Sequence, residues 1–334
     1  FQCLVLTPDG EVTLLTRSAD LRQAQLTSTI KDIRVWKDGP HANPALDLKS
    51  ILRDKHLDNK RVGVEYDAYG LTAANGKRLE TAVSGLVHLE DASMLVTRVR
   101  AVKSNEELAY VRRAGELADD AWTAAQAVAK PGVDESLVLA RMQSAVLEGG
   151  GDYPANEFVI GAGANALLCR YQSERKLIQP NDQLMLEWAG VYRHYHAAMM
   201  RTMLFGEPPK EQLEMFEAAD QALTETLAEL KPGNTFGDSF AAHARVFDEL
   251  GLSEHRLNAC GYSLGATFAP NWMDWPMQYE KNPTEIKPGM VIFTHMVLMN
   301  SQQNLSMCLG HTVVVTPNGP ESVSKYSNQL CVVD

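Results

Sequence analysis

Polar and apolar residues alternate by two in some stretches of the chain and by three to four in others, and these two periods divide it into elements. Phe1 to Arg17 reads as a hairpin, FQCLVLT and EVTLLTR flanking Pro8-Asp9-Gly10, which supplies the fixed and the permissive φ of a tight turn. Pro44 to Leu57 has helical spacing, Arg61 to Tyr66 is a short strand, Leu71 to Val83 a second helix and Met94 to Val99 a further strand. These alternations predict a small α/β layer domain over residues 1–102.

A boundary falls near Val102. Ser104 and Glu107 have the spacing of a capping box, ahead of a long helix whose apolar stripe is Leu108, Val111, Leu117, Trp122 and Ala125. The sequence then nearly repeats itself. AVAKPGVDESLVLARMQSAVLEGG and AELKPGNTFGDSFAAHARVFDELG each read as a helix end, a Lys-Pro-Gly break, a capped second helix and a closing glycine. Pro131 and Pro232 mark the two copies, and each copy leads into strand-like sequence punctuated by glycine. A period this long does not make a solenoid, so the expectation is one α-α-β-β unit, duplicated and folded about a pseudo-twofold, over residues 103–334. A pocket belongs where two such halves meet. The Leu184 hairpin would line one side of it, and strands holding Cys260, Val291 and His311 the other.

Leu184 to Gly206, LMLEWAGVYRHYHAAMMRTMLFG, carries the densest chemistry. Glu187 stands in the middle of an almost uninterrupted apolar run, where a charge must be paired or perturbed if the strand is buried. In the second half the strand period puts His194, His196, Ala198 and Met200 on one face and Tyr195, Ala197, Met199 and Arg201 on the other. A core hairpin with an incidental rim carboxylate is the plain alternative.

The 334 residues are 45% hydrophobic and 22% charged, with a net charge of −11, which leaves no basic footprint for nucleic acid and gives no run long enough for a bilayer. Five cysteines without CxxC spacing make a poor disulfide framework and suit a reducing cytoplasm. The chain opens at Phe1, inside a predicted strand, and a preceding segment is expected to be missing.

From Lys103 to Thr316 the sequence resembles the creatinase and methionine-aminopeptidase superfamily, the pita-bread fold, and the first domain is similar to the N-terminal domain of creatinase and prolidase relatives. The resemblance implies an α+β architecture. Metallopeptidases of that superfamily hold two metal ions with two Asp, one His and two Glu. Anchored on Arg201-Thr202, those places fall on Glu187 and Ala198 for the aspartates, on Tyr262 in Gly-Tyr-Ser-Leu-Gly for the histidine, and on His295 and Gly310 for the glutamates. Arg170, in NALLCRY, stands where the superfamily has a histidine. Every ligand has changed, and Ala198 and Gly310 offer no donor at all, so the expectation is no metal and no other cofactor.

The stretch EWAGVYRHYHAAMMRT, together with ANALLCRY, is most similar to the superfamily's metal-independent hydrolases of cationic carbon–nitrogen centres. The resemblance implies a small zwitterionic substrate, the cyclic amidine ectoine or its hydroxylated form, and a homodimer. On that basis Glu187 is the nucleophile or base, His295 the proton carrier and Tyr262 a donor to the tetrahedral intermediate. Arg170 or Arg201 would hold the substrate carboxylate, with Tyr192, His196, His311 and Trp272 as further contacts. Trp188 and Trp275 fit core or ring packing equally. A creatinase-like amidinohydrolase or lyase on another zwitterion, and a metal-less pseudo-peptidase binding a peptide, are the competing expectations.

Overall fold

A computed structural model describes every residue except Tyr171, Ser173 and Glu174, and the chain forms two compact units, Phe1–Val96 and Thr97–Asp334. The first unit begins with β1 (Cys3–Leu6) and β2 (Val12–Arg17), the expected hairpin, with Gly10 at φ 89° in its turn. After α1 (Leu21–Thr27), β3 (Asp32–Trp36) joins β2 in parallel. Then come α2 (Pro44–Asp54), capped by the Asn43 side chain, β4 (Arg61–Val64), α3 (Ala73–Val83), capped by Thr72, and β5 (His88–Asp91), which pairs in parallel with β4. Leu15, Leu48, Ile51, Leu52, Leu79 and Val83 form the core.

The expected strand at Met94 to Val99 is instead a helix, α4 (Met94–Arg100), and the strand of this region lies earlier, as β5. Asp91 explains the switch. Its carboxylate accepts from the Ser93 amide at 2.9 Å and from the Ser93 hydroxyl at 2.5 Å, which turns the chain out of β5 before the apolar run begins. A six-residue segment with four apolar residues, MLVTRV, is compatible with either state, and here the preceding turn decides.

The second unit opens with α5 (Asn105–Val128). Its capping box is complete, Ser104 and Glu107 satisfying each other's backbone amides, and Val111, Leu117, Trp122 and Ala125 are buried as the spacing predicts. There follow α6 (Glu135–Glu148), β6 (Val159–Ala162), β7 (Gln183–Tyr192), β8 (Tyr195–Phe205), α7 (Lys210–Ala228), α8 (Phe236–Glu249) and β9 (Ala259–Ser263). The chain continues through β10 (Asp274–Tyr279), β11 (Val291–Asn300), β12 (Leu305–Thr316), β13 (Gly319–Ser322) and β14 (Cys331–Val333). One mixed sheet runs β10-β9-β11-β12-β8-β7-β6, with β13 on β12 and β14 on β8.

Two copies of one unit are evident in that order. β6-β7-β8 mirrors β9-β11-β12 about the β8–β12 pair, and the Lys-Pro-Gly breaks put Gly132 at φ 86° and Gly233 at φ 94°, a left-handed turn that favours glycine. The helices cover one face. Trp188 donates its indole N–H to the Ala118 carbonyl at 2.9 Å and stacks on Trp122, while Met296, Leu298 and Leu309 pack with Met215 and Ala219 of α7. The opposite face carries the site.

Candidate active site

Antiparallel pairing places partners on the same face, so registers read across the sheet show which side chains meet. Glu187 pairs with Met200, Met200 with Gly310 and Gly310 with His295, a row across β7, β8, β12 and β11 on the helix-free face. Glu187 and His295 are pseudo-symmetry mates, each the fifth residue of its strand and each half-buried amid fully buried neighbours. Such a pattern marks a hollow that water reaches. Tyr262 of β9 pairs with Phe293 of β11, which puts both on this face too.

The sheet must curl to bring these groups together. If it were flat, β9 and β7, four strand spacings apart, would be about 19 Å from each other. Yet the Tyr262 hydroxyl donates to Glu187 Oε1 at 3.1 Å. The concavity so formed holds Glu187, Tyr262, His295 and Phe293, the Tyr262 and His295 rings 5.7 Å apart and the Phe293 and His295 rings 5.2 Å. Trp272, fully buried, donates its indole N–H to the Tyr262 hydroxyl oxygen at 2.9 Å.

Burial sets the protonation of this cluster. It pushes the Glu187 carboxyl up to about 7, against the opposing effects of the Tyr262 hydrogen bond and the Arg170 charge. The Tyr262 phenol is raised well above its ordinary value, first by burial and then by the Glu187 charge. His295 is lowered to about 4 by burial, and its Nδ1 is buried without a hydrogen-bond partner among the described residues. Burial therefore keeps this imidazole uncharged near neutral pH, which counts against the expected role of His295 as proton carrier, while the raised value of the Glu187 carboxyl lies near that pH.

Of the nine residues expected at the site, the structure brings Glu187, Tyr262, His295 and Trp272 together. Arg170, exposed, is close enough for its charge to act on Glu187 and donates from Nη1 to the Cys169 carbonyl at 2.6 Å. The other four are corrected. Arg201 and His311 alternate with Met200 and Gly310 and so project from the helix face, opposite the hollow that holds Glu187. Arg201 is buried and donates from Nη1 to the Met200 and Gly310 carbonyls at 2.8 and 2.6 Å, bracing the central strand pair from behind. Tyr192 also lies on the helix side, its ring 5.9 Å from that of Tyr110. His196 shares the site face, but Nε2 accepts from the Ala155 amide at 3.0 Å and Nδ1 lies 2.9 Å from the His194 carbonyl. Burial holds it down at about 4, and with both nitrogens spent on backbone it ties loops together.

Sequence reasoning missed Phe293. Its place two residues before His295 on one strand face was the available signal.

The metal positions of the superfamily do not fit a pair of ions here. Of the five, Glu187 alone retains a carboxylate, Ala198 and Gly310 have no donor atom, and no three His, Cys, Asp or Glu side chains group to hold a metal among the described residues. Gly310 is also hemmed in: a Cβ there would meet the Thr294 carbonyl oxygen at 2.7 Å and His295 Cα at 2.8 Å.

A curled sheet with a pseudo-twofold, helices on its outer face and ionisable groups in its hollow defines the pita-bread class of hydrolases. The chain belongs to metallopeptidase family M24, whose model matches residues 109–317, while residues 1–102 match the Creatinase/Prolidase N-terminal domain. It is similar to an ectoine hydrolase from Halomonas elongata, 27% identical over 99% of this chain and 86% of that protein. It is also similar to an Xaa-Pro dipeptidase from Pyrococcus furiosus, 25% identical over 71% of this chain and 66% of that one. The X-Pro aminopeptidase of Thermotoga maritima shares the fold, with a TM-score of 0.88, 18% identity and coverage of 100% of this chain and 88% of its own.

Proposed function

We propose that this chain opens a small cyclic amidine of the ectoine kind, and does so without a metal ion. The observation that carries this reading is Glu187, a carboxyl poised near neutral pH in the hollow where metallopeptidase relatives would need several carboxylates and this chain has one. A cationic amidine supplies the charge that a buried carboxylate lacks. Its approach favours the ionised form of Glu187, which then takes a proton from water as the water oxygen bonds to the amidine carbon. The carbon–nitrogen π pair moves onto nitrogen. The proton held by Glu187 passes to the departing ring nitrogen and that carbon–nitrogen bond breaks; Glu187 then relays the remaining hydroxyl proton of the former water to the freed amine, so the ring opens to an amide and an ammonium, N-acetyl-2,4-diaminobutyrate if the substrate is ectoine.

His295, uncharged, hydrogen-bonds the reacting amidine or the tetrahedral intermediate through its imidazole ring. Arg170 forks onto the substrate carboxylate. Phe293 closes the apolar wall beside them, which keeps the local dielectric low and the cation–carboxylate attraction strong.

Protein stripped with a chelator and incubated with ectoine, the ring protons followed by NMR, tests the proposal. Turnover that survives the chelator is the expected result. Turnover that vanishes and returns with added divalent metal would overturn the metal-free reaction, and cleavage of Xaa-Pro dipeptides with ectoine untouched would return the chain to the peptidases.

A further inference from the structure

The contacts among Trp272, Tyr262 and Glu187 have a direction that the chemistry of each group fixes. An indole N–H donates and has no acceptor, and Trp272, buried at 1% exposure, has that N–H 2.9 Å from the Tyr262 oxygen. The phenol oxygen therefore accepts on that side. Its own proton then lies toward Glu187 Oε1, 3.1 Å away, the second contact the oxygen makes among the described residues. Glu187 Oε2 has no hydrogen-bond partner among the described residues, and the side chain keeps part of its surface open.

We propose that Trp272 is a positioning residue that orders this chain of donors, Trp272 to Tyr262 to Glu187, and thereby selects Oε2 as the oxygen that takes and returns the reaction's proton. Tyr262 is then not free to donate to a tetrahedral intermediate, since its single proton is committed to the carboxylate. By loading the phenol oxygen, Trp272 also makes the phenol a better donor, so its effect reaches Glu187 through Tyr262. The inference deepens the proposed reaction at this site but concerns the free protein, and its test needs no substrate.

The carboxyl stretch of Glu187, assigned by its loss in Glu187→Gln, is titrated by infrared difference spectroscopy in the wild type, Trp272→Phe and Tyr262→Phe. Removing the phenol should raise the Glu187 midpoint by roughly one pH unit, the scale of one hydrogen bond to a charged group, and Trp272→Phe should raise it by about half as much. Trp272→Phe added to Tyr262→Phe should then shift nothing further. A Trp272→Phe midpoint equal to wild type overturns the ordering, as does a Tyr262→Phe midpoint that does not move. Where Trp272→Phe fails to fold, the indole N–H band in ultraviolet resonance Raman substitutes: it reports a bonded indole in wild type and a weaker bond in Tyr262→Phe, and an unchanged band overturns the proposal. Ectoine turnover can be absent in all of these proteins without affecting either readout.

Discussion

A carboxylate in the middle of an apolar strand is the residue on which the proposed chemistry turns, and burial is what makes it usable near neutral pH. Because Glu187 is raised to about 7, kcat/KM for the amidine should fall as pH drops through about 7, where the free protein's carboxylate becomes protonated. A bound amidinium favours the ionised form, so the corresponding limb in kcat should lie at lower pH. Limbs that coincide would mean the cation does not sit against Glu187. Glu187→Gln, which keeps the shape and removes the base, should lower kcat by on the order of 100-fold or more, read by steady-state kinetics. His295→Ala makes a different prediction, because the imidazole is uncharged throughout this range. It should cost roughly 10- to 100-fold at every pH, the worth of a hydrogen bond to a charged partner, and leave the limbs in place. A limb that disappears would restore His295 as the proton carrier. Glu187 was legible in the sequence because a charge amid apolar residues has few bland explanations. The roles of Arg201 and His311 were not, because alternation separates two faces without saying which one faces the hollow. Hairpin register and sheet order supply that answer, and both are tertiary facts.

Among the elements, α5 shows local sequence and long-range structure agreeing at one side chain. Glu107 closes the capping box through Oε2, which accepts from the Ser104 amide at 2.7 Å, and through Oε1 it accepts from the Tyr195 hydroxyl at the start of β8, at 2.8 Å. The first bond could be read from the Ser-x-x-Glu spacing; the second, across 88 residues, could not. Ser104→Ala should destabilise by about 1 kcal/mol, as the loss of an N-cap does. Glu107→Ala should destabilise by more, because it also strands the Tyr195 hydroxyl, and the Tyr195→Phe background should shrink that excess. Denaturant unfolding followed by the fluorescence of the stacked Trp122–Trp188 pair measures all three. Equal losses for Ser104→Ala and Glu107→Ala would mean that the bond to β8 contributes nothing. The misread α4 illustrates the converse: a short apolar run has no period of its own, and the Asp91–Ser93 turn ahead of it decided its state.

For the whole molecule the duplication was legible, since Lys-Pro-Gly recurs with the same helix and strand pattern around it, whereas the curl that lets β9 and β7 side chains touch was not. Nothing in a strand's alternation records how far a wide sheet bends. Ionisable groups buried on both faces of the sheet and among the helices set how stability responds to acid. Burial holds His196, His295 and His311 down at about 4 and His243 at about 3, each neutral in the folded protein. In the unfolded chain they titrate near 6.5. A group whose folded value is depressed in this way contributes stability that is present above about 6.5 and lost as the pH falls toward 4, at roughly 1.4 kcal/mol per pH unit for each histidine once it is protonated in the unfolded chain alone. Glu187 has the opposite sign: raised to about 7, it contributes stability that is full below about 4.5 and lost as pH rises through 7. Between about 6.5 and 5 four histidines oppose one carboxyl, so the second unit should lose stability on acidification. Its melting temperature should drop between pH 7 and 5, and His243→Phe, which replaces a buried histidine lying among Phe240 and Phe247, should flatten the slope by about one proton's share. A melting temperature level across that range would mean that these histidines take up protons in the folded state and that burial does not hold them neutral.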